Sequence, residues 1–120
     1  MRKRTGATDE VRQQIFLRAN FSCERCLETR FTFGTSIHHR KPRGMGGTKK
    51  QEINDPTNLI FLCGSGTTGC HGWIESHRKL GFEKGLLVRQ SENPSDIPFE
   101  DSFGNLWKLS SDFGKVKYTP

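Results

Sequence analysis

Two pairs of cysteines most constrain how this chain can fold. Cys23 and Cys26 flank two residues in CERC, and Cys63 and Cys70 flank six in CGSGTTGC. A C-x2-C turn points both sulfurs at one ion, and four thiolates bind zinc tetrahedrally. Structural zinc contributes on the order of 10 kcal/mol in small domains, which would supplement a core built from only 32% apolar residues. A four-cysteine zinc site is the leading prediction, and two disulfides or a redox C-x2-C are the alternatives.

The cellular location is predicted from the apolar segments. The amino-terminal residues hold no apolar run typical of a signal peptide. We therefore expect a cytoplasmic protein, in which disulfides rarely persist. No apolar stretch approaches the roughly 20 residues that a transmembrane helix needs, so no membrane partner is expected.

The net charge of +6 is unevenly distributed along the 120 residues. Residues 1–50 hold 12 of the 19 Lys and Arg residues but only 4 of the 13 Asp and Glu residues. A basic surface attracts polyanions through phosphate neutralisation and counterion release, so nucleic acid is the favoured partner class. Simple solubility is the alternative explanation for the charge.

The first elements predicted are a basic tail over residues 1–7 and a helix. Thr8 is a good N-cap, and Asp9 and Glu10 follow it in the first turn. The apolar stripe of this helix is Val11, Ile15 and Ala19, and the helix is expected to end at Asn20.

Two strands and a second helix are predicted next, within a domain that spans residues 8–81. TFGTSIHHR indicates a strand near residues 35–40, and NLIFLC indicates a buried strand over 58–63. A glycine-rich loop over 41–57 joins them, and its length favours a functional role. The second helix is expected from about Cys70 to Leu80, with Gly81 as its stop.

Residues 82–120 are predicted to be a β-rich extension packed on the same domain. GLLVRQ is a candidate strand, and SFGNLWKL indicates a hairpin that turns at Gly104 and Asn105. The overall prediction is a small α+β fold.

The four histidines all fall between residues 38 and 77. His38 and His39 end the first predicted strand, where adjacent side chains point to opposite faces. His71 directly follows Cys70, and His77 lies in the same predicted helix. A single histidine is more often a core or surface residue, but this grouping favours a functional site.

These segments together resemble the HNH endonucleases. SIHHRKPRGMGG, NLIFLC and GCHGWIESH are similar to that family's motif, with the histidine pair at His38 and His39, the asparagine at Asn58 and the final histidine at His71. The resemblance covers about residues 20–80. LCGSGTTGCHGW is similar to small HNH proteins of tailed bacteriophages, whose genes often lie beside DNA-packaging genes.

The resemblance implies a zinc-stabilised ββα-metal (His-Me finger) domain, with an N-terminal helix and a C-terminal β extension around it. His38 and His71 would bind a catalytic divalent ion, and His39 would be the general base. Asn58 would hold the loop and orient the base, or bind the ion directly. Because many relatives have Asp where this chain has His38, the ion could be Mn²⁺, Ni²⁺ or Zn²⁺ rather than Mg²⁺.

Helix geometry does not decide whether the second helix supplies a further ligand of this ion. Six residues after His71, His77 falls on a different side of a helix, which leaves it as a candidate for phosphate contact or helix capping. Glu75, at i+4, shares the face of His71 and could donate an oxygen, although a solvated surface position is the alternative.

The function implied is hydrolysis of DNA phosphodiester bonds, by nicking or by double-strand cleavage. In a phage, the enzyme would work in the bacterial host cytoplasm and assist DNA packaging with the terminase. The alternative is a zinc-finger DNA-binding or packaging accessory module that cuts nothing. The basic residues that flank the motif are candidates for phosphate contact; they are Arg40, Lys41, Arg43, Lys49, Lys50 and Arg78.

Overall fold

The computed structural model describes residues 7–41 and 53–120. Most of the predicted basic tail and much of the glycine-rich loop, including Arg43, Lys49 and Lys50, therefore lie outside the described residues. The described part is an α+β structure with two small sheets. Its helices and strands are α1 (Asp9–Arg18), β1 (Thr35–His39), β2 (Leu59–Cys63), α2 (Gly69–Ser76), α3 (Arg78–Glu83), β3 (Phe99–Glu100), β4 (Leu106–Leu109) and β5 (Lys115–Lys117).

Helix α1 begins where its capping sequence predicts. The hydroxyl of Thr8 accepts a hydrogen bond from the backbone N–H of Val11 at 3.2 Å, which satisfies one of the free donors of the first turn. Arg18 in the last turn forms a buried ion pair with Glu24 at 2.7 Å. Lys115 of β5 lies 3.3 Å from the same carboxylate, so this group ties together α1, the CERC turn and the last strand.

Strands β1 and β2 form an antiparallel pair with two buried faces. The register places His38 opposite Ile60 and His39 opposite Leu59. One face of β2, with Leu59 and Phe61, packs on Ile15 of α1. The other face packs against α2 and the carboxyl-terminal segment through a larger cluster. Its fully or nearly fully buried members are Cys23, Ile60, Leu62, Cys70, Ile74, Leu86, Leu87, Phe99 and Leu109.

The helix predicted over residues 70–80 is in fact two helices, with a break at His77. This residue has φ −129° and ψ 55°, outside the helical range. Ser76 Oγ donates to main-chain carbonyls of the preceding turn, and His77 Nδ1 lies 2.9 Å from the Trp73 carbonyl. Such side-chain bonds compete with the helical ladder. The prediction of Gly81 as a stop was also wrong, because Gly81 lies within α3 and packs against Leu87.

The segment after α3 is buried, but its first part is not a strand as GLLVRQ predicted. The backbone N–H groups of Leu86 and Leu87 both bond to the carbonyl of Gly81, and that of Val88 bonds to the carbonyl of Arg40. Because these donors are used in turns and loop contacts, no ladder forms here. The expected hairpin is present as β3 and β4, and β5 adds a third antiparallel strand.

The turn of this hairpin is organised by Asp101, whose side chain is buried. Its carboxylate accepts hydrogen bonds from the backbone of Phe103 and Asn105 and from Trp107 Nε1. Gly104 completes the turn at φ +85°, which glycine adopts without strain. Within the described ranges, no helix is both long and apolar enough to cross a membrane.

Candidate metal centres

The four cysteines converge on one point of the structure. Ligand atoms of Cys23, Cys26, Cys63 and Cys70 all lie within 4.8 Å of one another, and none of the four is in a disulfide. The CERC turn contributes one pair of sulfurs, while the end of β2 and the first turn of α2 contribute the other. This arrangement could hold a structural metal such as zinc.

Backbone N–H groups contact two of these four sulfurs. The N–H groups of Arg25 and Cys26 lie 3.4 Å from Cys23 Sγ, and that of Cys70 lies 3.4 Å from Cys63 Sγ. A hydrogen bond with Cys70 lowers the pKa of Cys23 to about 5, and the same contact raises the pKa of Cys70. Because one thiolate in the cluster disfavours a second, a bound cation is what allows all four to ionise together.

Arg25 links the cysteine cluster to helix α2. Its Nη1 donates to Cys70 Sγ at 3.3 Å, and its guanidinium lies 3.9 Å above the Trp73 ring. The Trp73 ring also stacks with the His77 ring, at 4.6 Å between centroids. The positive charge of Arg25 therefore offsets part of the negative charge that four thiolates and a divalent ion would carry.

A second donor group joins β1 to α2. Ligand atoms of His38, His71 and Glu75 lie within 4.8 Å of one another, and the two imidazole centroids are 5.1 Å apart. Burial lowers the pKa of His38 to about 3 and also lowers the pKa of His71, so both rings are neutral near pH 7. Neutral imidazole is the form that binds metals, and two imidazoles with one carboxylate suit Zn²⁺, Ni²⁺ or Mn²⁺.

The alternation of β1 separates the adjacent histidines, as the strand geometry predicted. His38 faces α2, whereas His39 lies on the other face and donates from Nε2 to Asn54 Oδ1 at 2.9 Å. His39 is outside the described metal-donor groups.

Asn58 is buried and holds the two ends of the long loop. Its Oδ1 accepts from the backbone N–H of Lys41 at 2.8 Å, and its Nδ2 donates to the carbonyl of Ile53, also at 2.8 Å. A second Nδ2 bond reaches the carbonyl of Lys41. The amide of Asn58 is thus occupied in joining Lys41 to Ile53.

Two other candidate residues of α2 and α3 lie at the surface. His77 is exposed, stacks on Trp73 and is separate from the His38 group. Arg78 is also exposed and pairs with Glu75 at 3.0 Å. Glu75 is therefore shared between Arg78 and the imidazole of His71, whose Nε2 lies 3.8 Å from the carboxylate.

Arg40 requires a correction, because the structure places it in the interior rather than against a nucleic acid. It is fully buried, and its guanidinium donates to the main-chain carbonyls of four residues, which are Thr57, Gly85, Pro94 and Ile97. Every one of these contacts is internal, so Arg40 cannot reach a phosphate. Lys41, half-buried, donates from Nζ to the carbonyl of Gln90 at 3.2 Å.

Sequence reasoning missed the groups that contact the histidine rings. Ser36 Oγ lies 2.7 Å from His71 Nδ1, and the carbonyl of Leu86 lies 2.8 Å from His38 Nε2. Strand alternation could have identified Ser36, because it is two residues before His38 on the same face of β1. No sequence signal identifies a main-chain carbonyl forty-eight positions away.

Comparisons of the chain with protein-family models, with curated proteins and with solved structures found no match.

Proposed function

We propose that this protein is a metal-dependent endonuclease of the HNH type that hydrolyses DNA phosphodiester bonds, with β1, β2 and α2 as a ββα-metal unit. The observation that carries the proposal is the group of His38, His71 and Glu75, whose ligand atoms lie within 4.8 Å. Catalytic metal sites often combine two histidines and one carboxylate and leave a position for water or substrate.

The side chains of His38, His71 and Glu75 would hold the divalent ion. When bound, this ion supplies positive charge beside the scissile phosphate and the leaving oxygen. The solvent-exposed side of Glu75, whose side chain is 38% exposed, gives phosphate a route to the group. The proximity of the Glu75 carboxylate to His38 and His71 supports a ligand role for Glu75.

His39 would be the general base, because imidazole is the side chain whose unperturbed pKa lies closest to neutral pH. It accepts a proton from the attacking water, whose oxygen bonds to phosphorus as the bond to the 3′ oxygen breaks. The 3′ oxygen takes up a proton from solvent as it leaves, so the products carry 5′-phosphate and 3′-hydroxyl ends. The bond to Asn54 at 2.9 Å orients the ring, and Asn58 holds the loop that contains Asn54.

DNA binding is proposed for basic residues that flank the motif in the sequence. Lys41, Arg43, Lys49 and Lys50 belong to the basic half of the sequence, and Arg78 lies on α3 beside Glu75. Phosphate contacts from such residues position DNA without selecting a sequence. A role in phage DNA packaging, in the bacterial cytoplasm and beside the terminase, rests only on the resemblance of the LCGSGTTGCHGW segment.

The proposal is tested by plasmid cleavage with zinc-loaded proteins in Mg²⁺, Mn²⁺, Ni²⁺ or added Zn²⁺. We expect wild type to cut, and His39→Ala and His71→Ala to lose on the order of 100-fold or more in rate. His77→Ala is the matched control, because its exposed imidazole lies outside the donor group, and it should cut normally. Zinc content and circular dichroism must match among the proteins.

Two outcomes would reject this proposal. Equal cleavage by all four proteins would indicate a contaminating nuclease. DNA binding without cleavage in any of these ions would favour the alternative, a non-catalytic zinc-finger DNA-binding module.

A further inference from the structure

The proton position on His38 follows from its buried hydrogen bond. Nε2 lies 2.8 Å from the carbonyl oxygen of Leu86. A carbonyl oxygen only accepts hydrogen bonds, so Nε2 must carry the proton. Metals bind the neutral form of imidazole, which carries a single N–H. The lone pair of this imidazole is therefore on Nδ1.

The proton position on His71 follows from a chain of two hydrogen bonds. Ser36 Oγ lies 2.9 Å from the carbonyl oxygen of Gly64 and 2.7 Å from His71 Nδ1. The single hydroxyl proton is donated to the carbonyl, which cannot donate in return. The hydroxyl oxygen then accepts from Nδ1–H. The lone pair of His71 is left on Nε2, the atom 3.8 Å from Glu75.

We propose that the two histidines bind a divalent ion through different ring nitrogens, His38 through Nδ1 and His71 through Nε2, and that Ser36 is the positioning residue that fixes the second of these. The inference deepens the metal centre of the proposed function and rests on it. It assigns ligand atoms and a supporting residue on the basis of the hydrogen bonds of this chain.

The hydroxyl of Ser36 donates to the carbonyl of Gly64, which lies in a tightly packed turn. Gly64 has φ +87°, and a Cβ there would lie 2.0 Å from the carbonyl oxygen of Thr68. Gly64 also follows Cys63, one of the clustered cysteines. The acceptor of the Ser36 hydroxyl is therefore held by close packing on one side and by the cysteine cluster on the other. A fixed acceptor keeps the His71 ring in one orientation.

Removal of the Ser36 hydrogen bond should weaken metal binding substantially. Groups that hydrogen-bond the second nitrogen of a metal-binding histidine fix its tautomer and raise its basicity, and their removal typically weakens metal binding about 10- to 100-fold. Ser36→Ala removes the acceptor of Nδ1–H. The His71 ring can then protonate on Nε2, which blocks the ligand atom.

The first measurement is the tautomer of each ring by long-range ¹H–¹⁵N correlation, on protein that carries one equivalent of zinc for its cysteines. We expect His38 to be protonated on Nε2 and His71 on Nδ1. Detection of His71 protonated on Nε2, or of His38 protonated on Nδ1, would overturn the inference. This test needs no variant and no DNA cleavage.

The second measurement is Mn²⁺ affinity by calorimetry, because Mn²⁺ prefers oxygen and nitrogen ligands and leaves the thiolate zinc in place. Ser36→Ala should bind Mn²⁺ roughly 10-fold or more weakly, and Ser36→Thr, which keeps the hydroxyl, should restore binding to within about twofold. Thr35→Ala is the matched control, since Thr35 is an exposed neighbour on the other face of β1. Wild-type affinity in Ser36→Ala would overturn the role of Ser36.

These readouts separate the inference from the proposed function. If the tautomers and the Mn²⁺ affinities agree with expectation but no DNA is cut, the metal centre stands and the nuclease proposal fails. If DNA is cut in a His71-dependent manner while the tautomers disagree, only the assignment of ligand atoms fails.

Discussion

Cys70 and His71 are consecutive residues whose side chains belong to two different donor groups. Cys70 lies with the other cysteines, and His71 lies with His38 and Glu75. Adjacent residues of a helix point about 100° apart, so the first turn of α2 can serve both groups at once. A change in the cysteine cluster would therefore also displace His71 from His38 and Glu75.

We expect ion binding at the histidine group to require the zinc proposed for the cysteine cluster. Zinc loss costs many kcal/mol of folding free energy in small domains, and it releases the turn of α2 that carries His71. We expect a chelator to eliminate both the near-ultraviolet circular dichroism and the Mn²⁺ binding measured by calorimetry. His71→Ala is the control, and it should lose Mn²⁺ binding while it keeps zinc. Normal Mn²⁺ binding by zinc-free protein would contradict the coupling.

His38 should make the folded state less stable as the pH falls below neutrality. Burial lowers its pKa to about 3 from 6.5, against the opposing effect of the Leu86 hydrogen bond. Between these values the unfolded chain binds a proton that the folded protein does not, so the unfolding free energy falls by at most ~1.4 kcal/mol per pH unit. This contribution is complete above the unfolded pKa and declines as the pH drops.

The measurement is urea unfolding of zinc-saturated wild type and His38→Gln between about pH 7 and pH 5. The comparison cancels contributions from the carboxylates and from zinc. The stability advantage of wild type should shrink as the pH falls. A difference that stays constant with pH would show that His38 does not titrate in this way.

Gly64→Ala should strongly destabilise the protein, because its new methyl group would lie 2.0 Å from the carbonyl oxygen of Thr68, at a residue with φ +87°. We expect a loss of about 3 kcal/mol in unfolding free energy, together with weaker zinc binding. Gly66→Ala in the same loop is the matched control, since nothing lies within 4 Å of a Cβ there. Thermal unfolding and zinc competition measure both effects, and equal stability of the two variants would refute the packing argument.

Arg40→Lys should also be costly, although it conserves the charge. The guanidinium donates to four main-chain carbonyls, and an ammonium group cannot reproduce that planar geometry. Unpaired buried carbonyls predict a loss of about 3 kcal/mol by chemical denaturation. Arg78→Lys at the exposed pair with Glu75 should change the unfolding free energy by less than ~1 kcal/mol. A similar small effect at both positions would contradict the structural role of Arg40.

Leu27→Gly should be more stable than Leu27→Ala. Leu27 has φ +64°, a conformation that costs a residue with a side chain about 1–2 kcal/mol. Both variants lose the contacts of a side chain that is 39% exposed, but only glycine removes the backbone strain. Because glycine also loses more conformational entropy on folding, the expected difference in favour of glycine is about 0.5 kcal/mol. Glu28→Gly and Glu28→Ala are the control pair, in which alanine should be the more stable. Denaturant unfolding measures all four variants, and a Leu27→Gly variant less stable than Leu27→Ala would disprove the strain.

Local sequence signals predicted the elements around the candidate site. Thr8 marked the start of α1, the apolar run from Leu59 marked β2, and alternation placed His38 and His39 on opposite faces. The pairing of Cys23 and Cys26 with two distant cysteines followed from metal chemistry. These features depend on residues that are close in sequence or on a shared ligand, so the sequence alone is sufficient to predict them.

Other features depend on tertiary contacts that leave little trace in the sequence. Arg40 follows a histidine pair in a basic segment, yet it is buried because carbonyls from residues 85, 94 and 97 surround it. Phe21 is 50% exposed although it is a large apolar residue, and it follows α1 in a stretch where Asn20 and Phe21 both have positive φ. The break at His77 likewise arises from side-chain hydrogen bonds that compete with a helix-compatible sequence.

The internal role of Arg40 also limits how this protein can be shortened. A chain that ended with α3 at Glu83 would remove three of the four carbonyls that Arg40 contacts, together with the Leu86 carbonyl that holds His38. Strands β1 and β2 and helix α2 therefore cannot be moved to another protein as an independent unit. A graft of this histidine group onto another protein must include the carboxyl-terminal segment. The main-chain carbonyls of that segment accept the hydrogen bonds of His38 and Arg40.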